Sequence, residues 1–169
     1  MRRAAIIDMG SNSFRLVVYG YEPREHWQHV DEIREAVRVG EAIGDDGALH
    51  AEPMDRAVRV ARLFSSFCRA SGIDDVTAVA TSAIRDARNG HELLERIGTE
   101  AGLDARVLSE QEEARYGYLA IANSTTLTNG YGFDIGGGSV QISRVEDRNL
   151  VRAGSWPLGA VRMSERFLP

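Results

Sequence analysis

Two stretches of this chain, IIDMGSNSFRLVVY at residues 6–19 and FDIGGGSVQISRV at residues 133–145, repeat one grammar: apolar strand, aspartate, any residue, glycine, a turn of small polar residues or glycine, and a second strand. Asp8 and Asp134 hold the same place in the two copies, as do Gly10 and Gly136. One such turn alone is an ordinary hairpin with a capping aspartate. Two matched copies point to two similar lobes, and the three consecutive glycines of the second are costly to order without a further role. That role is anion binding, because small residues let successive backbone N–H groups converge on phosphate oxygens. The candidate donors are Gly10, Ser11, Asn12 and Ser13 in the first loop and Gly136, Gly137, Gly138 and Ser139 in the second, with the serine hydroxyls and the Asn12 amide adding to the backbone. Asp8 and Asp134, each ending a strand, suit Mg²⁺, a hard cation that takes carboxylate and water oxygens. Two facing loops of this kind make a clamp.

Outward from these turns, residues 4–8 and FRLVVYGY read as a hairpin, and further strands are expected at 26–32 and 33–39, where IREAVRV also has helical periodicity. The GDDG segment at 44–47 reads as a turn. From Pro53 to about Ser71 the apolar residues recur at helical spacing, with Cys68 on the apolar stripe as a small core residue. A strand at 75–80, a helix at 90–101 and a short strand at 105–108 follow, an order that implies parallel pairing in an α/β lobe. Ser109 and Glu112 form a capping box that opens a helix to about Asn123. The polar stretch 123–130 is the best linker, which puts the first lobe at 1–124 and the opening of the second at 125–169. That opening is a three-stranded meander followed by the start of a helix. The second lobe is expected to be incomplete, with one face of its meander exposing Val140, Ile142 and Trp156 or their alternating neighbours.

The composition narrows the chemistry. All 20 basic residues are arginines, so no Walker A lysine, kinase strand lysine or Schiff-base amine is present. A net charge of −5 speaks against a non-specific DNA binder. The single Cys68 forms no internal disulfide, and the scattered histidines His26, His29, His50 and His91 supply no zinc cluster. The apolar run at 4–7 is too short for a signal sequence or membrane span, so a reducing, cytoplasmic setting is the expectation.

DMGSNSFRL, ATSAIRDA (80–87), SEQEEARYGYLA (109–120), DIGGGS (134–139) and LGAVRMSERF (158–167) together resemble, in order and spacing, the exopolyphosphatase and guanosine pentaphosphate phosphohydrolase family. The resemblance spans nearly the whole chain. It implies an α/β, actin-like (ribonuclease H-like) ATPase lobe with a mixed sheet and flanking helices, followed by the start of a second. It also implies an Mg²⁺-dependent hydrolase of polyphosphate or guanosine pentaphosphate, and a homodimer is expected of the full-length protein. The EEAR motif of that family places the water-activating glutamate at Glu113; by physics alone Glu110 and Glu112 are rivals, since acidic residues suit any helix N-terminus. Arg85 matches the arginine of the family's SAIRDA segment and is the first phosphate contact beyond the loops, with Arg15 a further candidate unless strand alternation turns it away. Arginine suits the work because its planar fork binds phosphate oxygens in pairs. One departure stands out: the family commonly carries an acidic residue two positions after the loop serine, and this chain has Gln141. That substitution keeps a second reading open, a non-catalytic phosphate or nucleotide-binding sensor or a sugar-kinase-like lobe.

Overall fold

The computed structural model describes residues 1–41, 43 and 47–168. In chain order the elements are β1 (Arg2–Met9), β2 (Ser13–Glu22), β3 (His26–Ala36), α1 (Ala51–Ala70), β4 (Asp75–Ala80), α2 (Ser82–Asp86), α3 (Gly90–Ala101) and β5 (Ala105–Val107). They continue as α4 (Glu110–Ser124), β6 (Gly130–Ile135), β7 (Val140–Glu146), β8 (Asn149–Trp156) and α5 (Ala160–Phe167). The chain divides into two compact units, Met1–Val107 and Leu108–Pro169.

The first unit is built on a mixed sheet of order β3-β2-β1-β4-β5. β1, β2 and β3 pair antiparallel, whereas β1–β4 and β4–β5 are parallel, as the strand, helix, strand order of the sequence required. Period-two alternation on β1 buries Ala5, Ile7 and Met9 and leaves Ile6 and Asp8 exposed. The buried side packs with Phe14, Leu16 and Val18 of β2 and with Ala57, Ala61, Phe64 and Cys68 of α1. Leu93 and Ile97 of α3 complete this core. Cys68 is the small buried residue its position on the apolar stripe indicated, and burial pushes its thiol pKa up.

Two expectations change. Residues 26–36 form one continuous strand, β3, in place of two, and 37–39 is neither strand nor helix. An extra residue at Val30 lets the strand keep its pairing: Tyr19 faces His29 while Val18 faces Asp31. Val37 and Val39 are nevertheless buried, because the segment turns back under the first loop. Of the GDDG turn, residues 44–46 lie outside the described residues. The short helix α2 had no expectation of its own.

The second unit is a three-stranded antiparallel sheet, β6-β7-β8, with α4 packed on all three strands. The helix was expected to close the first lobe, with a boundary at 124/125. It lies instead with the second unit because its contacts are to the meander, where small residues admit it: a Cβ on Gly132 would come within 2.2 Å of the Ile121 side chain. The capping box is present as expected, the Ser109 hydroxyl accepting from the Glu112 N–H while the Glu112 carboxylate accepts from the Ser109 N–H. On the other face of the sheet Tyr131, Phe133 and Ile135 are exposed, together with Trp156. Their cross-strand neighbours Val140 and Ile142 are only half-buried, so β6 carries more of the apolar exposure than β7. Among the described residues no helix is long and apolar enough to cross a membrane.

Phe64 is fully buried between helix and sheet. Phe64→Ala is expected to destabilise the first unit by about 3–5 kcal/mol, read from denaturant unfolding; a loss below about 1 kcal/mol would show that the site is not part of a close-packed core.

Candidate phosphate-handling site

Both glycine turns close in the same way. The Gly10 N–H donates to the Ser13 carbonyl at 3.2 Å, and the Gly136 N–H to the Ser139 carbonyl at 2.9 Å. Met9 faces Phe14 and Ile135 faces Val140 across the respective hairpins, so each loop tip is two residues, Ser11–Asn12 in one and Gly137–Gly138 in the other. The sequence repeat is therefore a repeat of geometry within each unit.

Each tip is then held from behind. In the first unit the Asn12 carbonyl accepts from the N–H groups of Val37 and Arg38, and the Ser11 carbonyl accepts from Gly40. Arg38 takes a left-handed backbone, φ 52°, to make this approach. In the second unit the carbonyls of Gly136 and Gly137 accept from Ala160, Val161 and Arg162 at the start of α5. With carbonyls tied back, the N–H groups of Ser11, Asn12, Gly137 and Gly138 have no backbone acceptor among the described residues. Tip amides without a backbone acceptor are what the anion cradle expected of these loops requires.

The hydroxyls have other work. The Ser11 hydroxyl pairs with that of Ser82 at 3.0 Å in a buried contact. Ser13 Oγ accepts from Arg34 Nε at 3.1 Å. Ser139 Oγ donates to Glu113 Oε1 at 3.0 Å and accepts from Gln141 Nε2 at 2.8 Å. The three loop serines were expected to offer hydroxyls to a ligand, and each has a protein partner: Ser139 spends its hydrogen on Glu113, Ser13 only accepts and keeps its hydrogen, and the exposed Asn12 amide stands beside the backbone donors.

Of the other candidates, Glu113 meets the second loop directly through Ser139. Asp134 lies against the same helix one turn on, since a Cβ on Gly117 would sit 3.4 Å from its Oδ2. Positions 113 and 117 share a helix face, so Glu113, Asp134 and the glycine loop form one constellation within the second unit. Glu112 is held in the capping box, which separates it from its rival at 113. In the first unit the Ser11–Ser82 contact joins the loop to the start of α2, which bears Arg85; the Arg85 side chain is 16% exposed and its Nε bonds Asp86 Oδ1 at 3.2 Å. Arg15 stands beside Asp8 on the exposed face but is gripped by both carboxylate oxygens of Glu32, at 2.6 and 2.8 Å. It must exchange partners to reach a phosphate. Arg15 holds the Glu32 carboxyl below the usual glutamate range, so the pair is intact above that range and weakens as pH falls through the lowered value.

Among the described residues no group of three or more His, Cys, Asp or Glu side chains comes together. Asp8 in the first unit and Asp134 in the second are both exposed, and an exposed carboxylate suits Mg²⁺, a cation that keeps waters and takes its remaining oxygens from a phosphate substrate.

Three contributors escaped the sequence reading. Ser82 and Gly40 brace the first loop, a Cβ on Gly40 coming within 3.2 Å of the Ser11 side chain. Gly159 lets α5 approach the second loop. Ser82 lay within the ATSAIRDA segment and Gly159 within LGAVRMSERF, but nothing in either string said that these residues brace a loop.

Residues 17–169 match the model of the Ppx/GppA phosphatase family. Exopolyphosphatase 1 of Mycobacterium tuberculosis is 31% identical over 169 residues, covering 99% of this chain and 49% of the relative. The crystal structure of an exopolyphosphatase from Cytophaga hutchinsonii superposes with a TM-score of 0.92 at 27% identity, covering 99% of this chain and 54% of that one. An Aquifex aeolicus Ppx/GppA family structure gives 0.82 at 30% identity, covering 98% and 54%. The chain thus spans about half the length of the curated relatives it matches. The ethanolamine utilization protein EutJ of Carboxydothermus hydrogenoformans, with a TM-score of 0.52 at 17% identity, shares the fold alone, and that fold is the actin-like ATPase fold expected for the first lobe.

A Cβ on Gly159 would lie 2.4 Å from backbone atoms of Gly137 and Gly138. Gly159→Ala is expected to lift α5 off the loop at a cost of about 1–3 kcal/mol. Hydrogen exchange should then show lost protection at the Val161 and Arg162 amides; unchanged protection would mean the helix does not brace the loop.

Proposed function

The chain belongs to the Ppx/GppA phosphatase family, and from that premise we propose that its protein is a phosphohydrolase removing terminal phosphate from inorganic polyphosphate, with guanosine pentaphosphate as an alternative substrate. The observation that carries the reading is the Glu113 carboxylate, hydrogen-bonded at 3.0 Å to the serine that closes the glycine loop. A carboxylate fixed beside an anion cradle is the arrangement needed to direct water at a bound terminal phosphoryl group.

In this mechanism the amides of Gly137 and Gly138 hold phosphoryl oxygens. Glu113 orients a water and takes its proton as the new P–O bond forms and the bridging P–O bond breaks. The products are orthophosphate and a chain one phosphate shorter. In the first unit Arg85 and the loop of Gly10, Ser11, Asn12 and Ser13 are proposed phosphate contacts in their own right. Mg²⁺, when bound, would offset charge on the phosphoryl oxygens, and Asp134 in the second unit and Asp8 in the first are each proposed as a carboxylate for it. A cytoplasmic setting and a homodimer of the full-length protein belong to the same proposal, as does the exclusion of DNA as a partner. The absence of lysine from the sequence is compatible with all of this, because amides, a hard cation and arginine do the anion's work.

Gln141 favours a second reading. A neutral amide where the family resemblance implies an acid removes one anionic ligand or base, which suits a lobe that binds phosphate without turnover. The two readings separate on one pair of variants. Glu113→Gln is expected to lower phosphate release from polyphosphate by about 10²-fold or more with binding retained. Glu112→Ala is expected to leave turnover within about twofold while lowering stability by about 1 kcal/mol through the lost cap. Equal rates for wild type and Glu113→Gln remove Glu113 from the mechanism, and binding without turnover in both supports the sensor.

A further inference from the structure

Gln141 is 3% exposed and lies on the middle strand of the second sheet, opposite Asp134 on one side and Ser155 on the other. Its Nε2 donates to Ser139 Oγ at 2.8 Å and to Ser155 Oγ at 3.0 Å, which uses both carboxamide hydrogens. A hydroxyl carries one hydrogen and two lone pairs. Because Ser139 Oγ accepts from Gln141, its own hydrogen is free to point at Glu113 Oε1, 3.0 Å away. The direction of the chain is thereby set: amide to hydroxyl to carboxylate. An ionised carboxylate at position 141 has no hydrogen to give and would compete with Glu113 for the hydrogen of Ser139.

From this arrangement the geometry points to Gln141 as a positioning residue, acting through Ser139 to hold Glu113 as a hydrogen-bond acceptor in one orientation. The amide that looks like a lost acid in the sequence has a different task, supplying the donor that an acid lacks. Ser155 serves as the outer anchor, fixing the carboxamide so that its second hydrogen meets Ser139. The inference rests on the reading of Glu113 as the water-orienting group.

Its test has two arms. In the first, phosphate release from polyphosphate is measured for wild type, the size-matched Gln141→Glu, Gln141→Leu, Ser139→Ala and the double variant Ser139→Ala/Gln141→Leu. Each Gln141 variant is expected to lower kcat about tenfold or more, with KM within about twofold. The double variant is expected to be no slower than Ser139→Ala alone, because residues acting in series do not add. An unchanged kcat in Gln141→Glu, or losses that multiply in the double variant, overturns the relay. The second arm reads the contact without catalysis, by solvent exchange of the Gln141 carboxamide hydrogens in NMR spectra. Exchange is expected to be slow in wild type and about fivefold faster in Ser139→Ala; fast exchange in wild type overturns the relay even if every variant fails to fold. If wild type releases no phosphate while exchange is slow and responds to Ser139→Ala, the hydrolase reading falls and the hydrogen-bonded relay stands.

Discussion

A single hydrogen bond, from the N–H of a glycine to the carbonyl of a serine three residues later, closes both turns on which the structure depends. It confines each hairpin loop to two residues and leaves the amides at the tip without backbone acceptors. Glycine relieves a tight turn: a Cβ would stand 3.1 Å from the Ser13 carbonyl oxygen at Gly10 and 3.3 Å from that of Ser139 at Gly136, so a side chain there would press on the loop backbone. Either turn alone would be an unremarkable hairpin end. The capacity to hold an anion that we propose for it rests on what ties back its carbonyls.

That bracing is supplied by chain remote in sequence. Residues 37–40 hold the first tip and the start of α5 holds the second, and both do so with N–H groups aimed at loop carbonyls. The three glycines of the second loop lose more conformational freedom on ordering than any other tripeptide. The bonds from Ala160, Val161 and Arg162 offset that cost, and they form because Gly159 allows the helix to approach the loop backbone. The serines serve the same end, their hydroxyls linking the loops to α2, β3 and α4 and so stiffening the cradle.

Polar burial in the second unit has the same logic. Ser139, Gln141 and Ser143 are buried on the face that carries α4, an unusual set for the inner side of a sheet. Ser139 and Gln141 avoid the cost of unpaired polar groups by bonding in a line that ends on Glu113. Rigidity at the carboxylate is thus bought with polar groups in place of apolar packing.

Apart from the short helix α2, the order of strands and helices was legible from apolar periodicity, turn residues and the Ser109 capping box, because these depend on neighbours within one or two helical turns. The candidate site was legible as a set of motifs, since the DxG repeat and the EEAR, SAIRDA and LGAVR segments are local strings. Three things were not. Helix α4 buries only Ala114, so its pattern shows no apolar stripe to say which sheet receives it, and Gly132 decides the matter through space. Residues 33–39 carry both helical and strand periods, and pairing with β2 resolves the first part as strand while hydrogen bonds to the loop claim the rest. Above all, which hydroxyl faces a ligand and which faces the protein depends on partners up to 71 residues away, as for Ser11 and Ser82. Sequence alone determined which residues have the chemistry to handle a phosphate. Tertiary structure decided which atoms of those residues remain to do it, because hydrogen bonds saturate and only the fold shows which donors and acceptors are already engaged.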